Sequence, residues 1–396
     1  MRLFRKLLWA LPIFALISIF LYGRKQEDST SEKTSPPKDV ETQLCDPCLE
    51  ERQDACSDPC DPCATDPQTK AYDQGYGICE NDLPKAYSAP GRIDVCGGID
   101  AFVTGSFIYW EPLGDQLDLG TARFASLTPV ELDLVKFKTN YEPGFKVGLG
   151  FNLNHDNWDL FAQYTRLHET ETTRYTPRTR DSNDSIISSW FILDPLPAFF
   201  SDISGDIVAV WKTELDKIDL ELARSYYLGA KLIARPFIGG SVHWLDQRYD
   251  LSLTESSVLQ ESSTKNDSWA LGPRFGLGSS YLIYKGFRIF GYGAISLLFS
   301  ENEISGVGNE DSAAYILNKV DKYILRDVEE LMIGLGWGSY FTRKKWHMDL
   351  SVAYEAQRYA RTNYMSYIAQ LNLEANEVKA GDFYLHGLTV TARFDF

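Results

Sequence analysis

From Ile99 to the C-terminus, apolar and polar residues alternate with a period of two, and this pattern most constrains the fold. Within 269–277 and within 346–354 every second residue is apolar, and the residues between them are small, polar or charged. A period of two places successive side chains on opposite faces of a β-strand. The sequence therefore predicts an all-β domain whose strands have one apolar and one polar face.

The connections between these strands are alternately long and short. We predict about ten strands, over residues 100–112, 134–152, 157–172, 206–227, 230–250, 266–284, 286–303, 324–342, 345–361 and 381–396. The short connections centre on 154–156, 228–229, 285–286 and 343–344. Transmembrane β-barrels have this organisation, with short periplasmic turns, long outer loops and an even number of strands.

The alternation favours an antiparallel transmembrane β-barrel over a soluble barrel. Closure of the barrel removes every sheet edge and satisfies the backbone hydrogen bonds in lipid. The final strand ends in Phe394 and Phe396, with polar Arg393 and Asp395 between the apolar residues. This end resembles the sorting signal of bacterial outer-membrane proteins. It implies that the barrel assembly machinery and outer-membrane lipid are partners, and that the protein lies in the bacterial outer membrane.

The N-terminus has the composition of an export signal. Arg2, Arg5 and Lys6 form a basic start, and residues 7–22 are almost wholly apolar. That length exceeds a typical signal core and falls just short of the roughly 20 residues that span a bilayer. Residues 1–23 are therefore either a cleaved signal peptide or a retained N-terminal anchor, and both export the rest of the chain.

Residues 24–98 form an acidic linker rich in proline and cysteine, before a barrel domain over 99–396. The linker has no sustained period of two or 3.6, which predicts a disordered periplasmic extension. All seven cysteines of the chain lie here: Cys45, Cys48, Cys56, Cys60, Cys63, Cys79 and Cys96. Paired CxxC spacings are compatible with zinc or a redox pair, but an exported chain favours disulfides. Because seven is odd, the count raises the hypothesis of a bond to another molecule.

The polar faces of the strands are predicted to line the lumen. A charged side chain at mid-membrane on the lipid face costs about 2–4 kcal/mol, which favours an inward assignment. The apolar parity changes between Leu215 and Ile218, which predicts a bulge near Lys217. The candidate lumen-lining residues are Lys146, Gln163, Lys212, Glu214, Asp216, Asp219, Glu221, Arg235, His243, Arg274, Asp349, Glu355 and Arg393.

A charged, wet lumen would select and pass ions and small solutes. A ten-stranded barrel is narrow, however, and ion pairs between its acids and bases could close it. The five histidines are scattered without a nucleophile at motif spacing, so we predict no catalytic, metal or cofactor site and no enzyme, while a surface protease of Asp-His type stays open. A net charge of -16 argues against a nucleic acid partner.

Several segments resemble the MOMP-like, pore-forming outer-membrane family of Legionella and Chlamydia-related bacteria. The residues that carry the resemblance span the barrel. They are Ser106–Pro112 with Asp115–Asp118, Glu142–Gly150, Asn157–Leu160, Lys217–Arg224, Arg235–Gly239, Trp244–Gln247, Gly272–Gly276 and His386–Phe396. Separately, Ser57–Thr65 resembles the cysteine motif near the mature start of the chlamydial major outer membrane protein.

The resemblance implies an outer-membrane porin for passive diffusion of ions and small solutes, cross-linked to other envelope proteins through its N-terminal thiols. It carries no catalytic residues, and a homo-oligomer stays open. The alternative is a structural or adhesive barrel without an open channel. Its activity would then lie in the predicted long loops 113–133, 173–205 and 304–323.

Overall fold

The computed structural model of the 396-residue chain describes residues 91–396, except for 125–126, 128, 154–156, 177–183, 189, 191–201, 204, 256–257, 311–312 and 367–378. The predicted signal peptide lies outside the described residues. So do the chlamydial cysteine motif and all of the cysteines except Cys96. No helix of the described part is long and apolar enough to cross a membrane.

The described residues form strands that we number in chain order. They are β1 (Ala101–Gly114), β2 (Gly120–Phe124), β3 (Glu131–Val135), β4 (Glu142–Asn152), β5 (Trp158–Tyr175), β6 (Asp184–Ile187), β7 (Asp202–Ile203), β8 (Asp206–Arg224), β9 (Tyr226–Tyr227), β10 (Leu232–Glu255), β11 (Val258–Tyr284), β12 (Phe287–Glu310), β13 (Ala313–Phe341), β14 (Trp346–Asn363) and β15 (Gly381–Asp395).

Ten of these strands form one closed antiparallel barrel, which confirms the predicted fold class. Around the ring the order is β1, β4, β5, β8, β10, β11, β12, β13, β14 and β15, and β15 pairs with β1. Phe396 and Ala101 close the seam with two backbone hydrogen bonds of 3.0 and 3.2 Å. Apart from this closure, every barrel strand pairs with the next barrel strand along the chain.

The strands β10 to β13 run much further than the sequence pattern predicts. Residues 251–255 and 258–265 are paired strand rather than loop, and so is most of the predicted loop 304–323. These segments are rich in Ser, Thr, Asn, Asp and Glu, and they have no continuous apolar face: Thr264 is buried, whereas Val307 is exposed. Beyond the lipid a strand needs no apolar face, so the apolar period ends while the backbone pairing continues.

A second, small sheet is built from the outer connections of the barrel. Its strand order is β3, β2, β6 and β7. Strand β3 thus belongs to this sheet, although the predicted barrel strand 134–152 includes its last two residues. Ala122 and Ile186 of the small sheet are fully buried against the apolar residues at the outer end of the lumen.

Burial alternates along the barrel strands with the period of two that the sequence predicts. On β13, the odd-numbered residues Leu331, Ile333 and Leu335 are each more than 60% exposed. The even-numbered residues Arg326 and Glu330 of the same strand are buried. The apolar face is therefore turned outward to lipid, and the polar face is packed in the interior. In a soluble protein the interior is apolar, whereas here the interior holds the polar and charged side chains. A functional site is therefore to be sought inside the barrel.

Candidate functional site

The predicted lumen residues are mostly inside the barrel. On each strand the buried side chains alternate with exposed ones, and the buried set points inward. The predicted residues at inward positions are Lys146, Gln163, Asp219, Glu221, Arg235, His243, Arg274, Asp349, Glu355 and Arg393. They come from strands around the whole ring, so their charges meet in one narrow interior.

The inward prediction is wrong for Lys212, Glu214 and Asp216 on β8. Lys212 and Glu214 form an ion pair of 2.7 Å with side chains 52% and 32% exposed. Asp216 accepts a hydrogen bond of 2.5 Å from the hydroxyl of Tyr164 and lies 3.2 Å from Nε2 of His168. Tyr164 and His168 belong to the outer face of β5, so all three predicted residues lie outside the barrel.

The predicted bulge near Lys217 is also absent, because β8 pairs in unbroken register with both neighbours. The inward positions of its outer half hold Trp211, Thr213 and Leu215, which are fully buried. Outside the lipid the surroundings of the barrel are water, so polar residues move to the outer face and apolar residues to the inner face. The chemical pattern reverses along β8 while the backbone register stays constant.

The centre of the lumen is filled by a buried ion-pair cluster, which we call the central network. Lys217 on β8 donates a hydrogen bond of 2.5 Å to Glu330 on β13, and both side chains are almost fully buried. Arg274 on β11 donates to both carboxylate oxygens of the same Glu330. Asp219 lies 3.0 Å from Lys217. Three strands separate β8 from β13 around the ring, so this network crosses the lumen.

A second group of contacts extends the central network towards the short turns. Arg235 binds Asp159 at 2.5 Å and Glu221 at 2.8 Å. The hydroxyl of Tyr292 donates to Glu221 at 2.7 Å and accepts from Arg274 at 2.6 Å. Charge-assisted hydrogen bonds of this length are the strong ones in proteins. The charges of Arg235, Asp159, Glu221 and Arg274 are thus paired with one another.

Further buried pairs lie nearer to the ends of the strands. Arg288 on β12 binds Asp349 on β14 through two hydrogen bonds, one of them 2.7 Å long. Asp395 accepts a bond of 2.5 Å from Arg393 and lies 3.0 Å from Nδ1 of His347. These contacts tie neighbouring and next-neighbouring strands together at the turn end of the barrel.

The outer half of the lumen is closed by apolar side chains, which we call the apolar plug. It contains Ile108, Trp110, Leu119, Leu167, Ile186, Ile207, Trp211, Leu215, Leu245, Tyr249, Leu298, Val328, Tyr359, Phe383 and Leu385, all essentially inaccessible to solvent. Trp190, from the connection that carries the small sheet, packs on Tyr249 with ring centroids 4.5 Å apart. The outer connections thus complete the plug.

The turn end of the barrel holds a cavity of about 270 Å³, whose lining includes Arg92, Tyr227, Arg235 and Arg288. Residues 91–98 run across this end: the amide of Gly91 donates to Ser225 at 2.9 Å, and that of Cys96 to Lys344 at 2.8 Å. Burial raises the pKa of the Asp94 carboxyl in this segment, although Arg92 pairs with it at 2.6 Å. The described linker end thus covers the cavity.

Glu330, Arg288 and Arg326 are interior residues that the sequence pattern did not single out. All three have the inward parity of their strands, so the same alternation rule could have found them. Arg326 is fully buried and donates to Asn302 at 2.7 Å and lies 3.0 Å from Nε2 of His243. Within the described residues, no group of three His, Cys, Asp or Glu side chains is suited to hold a metal ion.

The barrel domain matches one protein family over nearly its whole length. The family model described as the Legionella pneumophila major outer membrane protein precursor matches residues 100–396. The chain belongs to this family. The match confirms the resemblance to the Legionella members and places the protein in the bacterial outer membrane. No curated protein matches the chain.

Solved outer-membrane barrels are similar to this member of the Legionella family only at low identity. The outer membrane protease OmpT from Escherichia coli is 11% identical, covers 77% of this chain and 99% of its own, and has a TM-score of 0.38. The toluene transporter TodX from P. putida is 8% identical, with 74% and 89% covered and a TM-score of 0.23. The channel DcaP of Acinetobacter baumannii is 10% identical, with 75% and 97% covered and a TM-score of 0.13.

Proposed function

We propose that this outer-membrane barrel is closed to free diffusion and acts as a structural element of the envelope. The observation that carries the proposal is the ion pair between Lys217 and Glu330, which joins β8 to β13 through the middle of the lumen with both side chains buried. The apolar plug lies on its outer side, where Trp211 and Tyr249 are inaccessible to solvent. A pore for solutes needs a continuous wet path, which these layers interrupt.

A diffusion porin is the second candidate. The observation that favours it is the cavity of about 270 Å³ at the turn end, because a purely structural core would need no such space. The charged residues next to it, Arg235 and Arg288, are typical of a selective lumen. For solutes to pass, the central network and the apolar plug would both have to separate.

The N-terminal linker supports the structural role. Cys96, at the described end of the linker, donates its amide hydrogen bond to the carbonyl of Lys344 at the turn end of the barrel, at 2.8 Å. Because the chain has seven cysteines, pairing within one molecule leaves at least one thiol for another protein. We propose that the linker fastens the barrel to other envelope proteins through such a bond, and that the protein has no enzymatic activity.

Planar-bilayer recording of the refolded full chain tests the closed barrel. We expect no stepwise current above that of a heat-unfolded sample of the same preparation. Sustained current steps would contradict the closed barrel and favour the porin.

The variant Lys217→Ala then locates any current that is seen. If ions cross this lumen, K217A should change the step size, because Lys217 lies at its centre. The matched variant K212A removes the same charge from the outer face of the same strand and should leave the step unchanged. Equal effects of both variants would mean that the current does not pass through the lumen.

A further inference from the structure

Glu169 on β5 is a buried carboxylate without a hydrogen-bond partner. It occupies an inward position and is 6% exposed, and neither carboxylate oxygen meets a donor within the described residues. The lumen carboxylates of the central network differ, since Glu330, Asp219 and Glu221 each contact Lys or Arg. Buried polar groups are almost always paired, so this exception calls for a physical reason.

The surroundings of Glu169 make an unpaired negative charge costly. Leu167, two residues away on the same face, is fully buried in the apolar plug, as is Leu215. The carboxylates of Glu171 and Glu142 repel a negative charge on Glu169. The buried Arg326 is held by His243, Asn302 and Ser268 instead. A buried carboxylate in such a place takes up either a proton or a cation.

Two neighbouring side chains present further unpartnered oxygens. Thr213 on β8 lies directly opposite Glu169, and Gln247 on β10 lies directly opposite Thr213. Both point inward and are at most 1% exposed. The Thr213 hydroxyl and Oε1 of Gln247 have no hydrogen-bond partner within the described residues. Three unsatisfied groups thus stand side by side on consecutive strands.

In the side-chain amides of Gln247 and Asn266 it is the oxygen, not the NH₂ group, that is left without a partner. Nε2 of Gln247 donates to the carbonyl of Thr362 at 3.2 Å. Nδ2 of Asn266, the next residue along the same row, donates to the same carbonyl at 2.6 Å. A carbonyl only accepts hydrogen bonds, so the NH₂ ends must face Thr362 and the amide oxygens face elsewhere.

We propose that Glu169, Thr213 and Gln247 form a binding site for a hard cation of the Ca²⁺ type in the outer half of the lumen. Ca²⁺ takes carboxylate, amide and hydroxyl or water oxygens. The cation neutralises Glu169 and satisfies the oxygens that the protein leaves unpaired. With one central carboxylate, the site belongs to the weak class of extracellular sites, with Kd on the order of 10⁻⁴–10⁻³ M.

Terbium luminescence and thermal unfolding of the refolded full chain in detergent test this site. After removal of metal with EDTA, we expect Tb³⁺ to bind and to emit on excitation of tryptophan. The donor is Trp211, which lies directly opposite Glu171, two residues along β5 from Glu169. Ca²⁺ should displace Tb³⁺ and raise the unfolding temperature. In Glu169→Gln the affinity for both ions should fall at least about tenfold, as for loss of an important ligand-shell group.

The matched control is Glu214→Gln, which removes a carboxylate from the outer face of β8. It should bind Tb³⁺ and Ca²⁺ as the unchanged protein does. If Glu169→Gln fails to fold, Thr213→Val keeps the carboxylate and removes only the hydroxyl, and it should weaken Ca²⁺ binding while leaving the barrel folded.

Two outcomes would overturn the proposal. The first is an unfolding temperature that does not respond to Ca²⁺ in the unchanged protein. In that case Glu169 holds a proton, and Glu169→Gln should unfold at the same temperature or higher. The second is equal loss of Ca²⁺ binding in Glu169→Gln and Glu214→Gln, which would place the cation on the outer surface.

Discussion

Lys146 on β4 donates two hydrogen bonds, of 2.6 and 2.8 Å, to the carboxylate of Glu355 on β14 inside the barrel. Strands β1 and β15 lie between the two residues on the ring. The Lys146 ammonium also lies 4.7 Å from the centre of the Trp110 ring, and Thr389 donates to Glu355 at 2.9 Å. The pair spans the seam at which the barrel closes.

Replacement of Lys146 by Met should destabilise the barrel by about 3–5 kcal/mol, because it leaves the Glu355 charge buried without a cation. Met keeps most of the volume of the side chain, so packing changes little. The free energy of unfolding is measured by urea titration in lipid vesicles, with the folded fraction taken from the mobility of the unboiled protein on a gel. The exposed pair of Lys212 and Glu214 is the control, and K212M should cost at most about 1 kcal/mol.

Gly239 on β10 should tolerate no side chain. A Cβ at this position would overlap the carbonyl oxygen of Leu220 on β8, which is backbone and cannot swing away. Gly239→Ala should therefore lower the free energy of unfolding by about 1–3 kcal/mol, the usual cost of overpacking.

The control for that substitution is Gly105→Ala on β1, where a Cβ would meet nothing within 4 Å. It should leave stability unchanged or increase it by about 0.4–1 kcal/mol, because alanine restricts the unfolded chain. Equal losses at both sites in the same urea titration would refute the assignment of the close contact.

The lipid face can be tested with a single charge. Leu335 on β13 is 61% exposed on the outer face, within the apolar run Leu331–Trp337. Leu335→Arg should destabilise the barrel by about 2–4 kcal/mol if this position faces mid-membrane lipid. Val307 is 52% exposed on the outer extension of β12, where V307R should change stability by no more than about 0.5 kcal/mol.

The linker cysteines should produce bands of high molecular weight on non-reducing gels of isolated envelopes, after free thiols have been blocked. A reducing agent should convert these bands to the monomer. Migration as a monomer in both gels would exclude the intermolecular bond. The control is a variant with serine at the cysteines outside the described residues, namely Cys45, Cys48, Cys56, Cys60, Cys63 and Cys79.

The strands that contact lipid could be predicted from the sequence because lipid demands an unbroken apolar face. On β13, for example, the exposed residues Leu331, Ile333 and Leu335 are all apolar. The outer extensions could not be predicted, since water imposes no such alternation: Lys319 is exposed and pairs with Glu303 at 2.7 Å across β12 and β13. The same change of surroundings explains the wrong inward assignment of Lys212.

The pairing of the lumen charges could not be predicted either. Lys217 and Glu330 are 113 residues apart, and no local pattern relates them. Their contact depends on which strands face each other across the ring, which follows only from the strand count and the closure. The alternation predicted that Lys146 and Glu355 point inward. It could not predict that they form an ion pair across β1 and β15.

The seam between β1 and β15 sets the order of events during folding. Thr104 is paired with Arg393, so nearly the whole barrel domain must be present before the first strand finds its partner. Joining two segments so far apart has a large loop-closure entropy, and such non-local pairing is slow. Until it happens, β1 and β15 each have an open edge that another chain can occupy. The barrel domain is therefore most open to pairing with other chains in the interval before β1 and β15 meet.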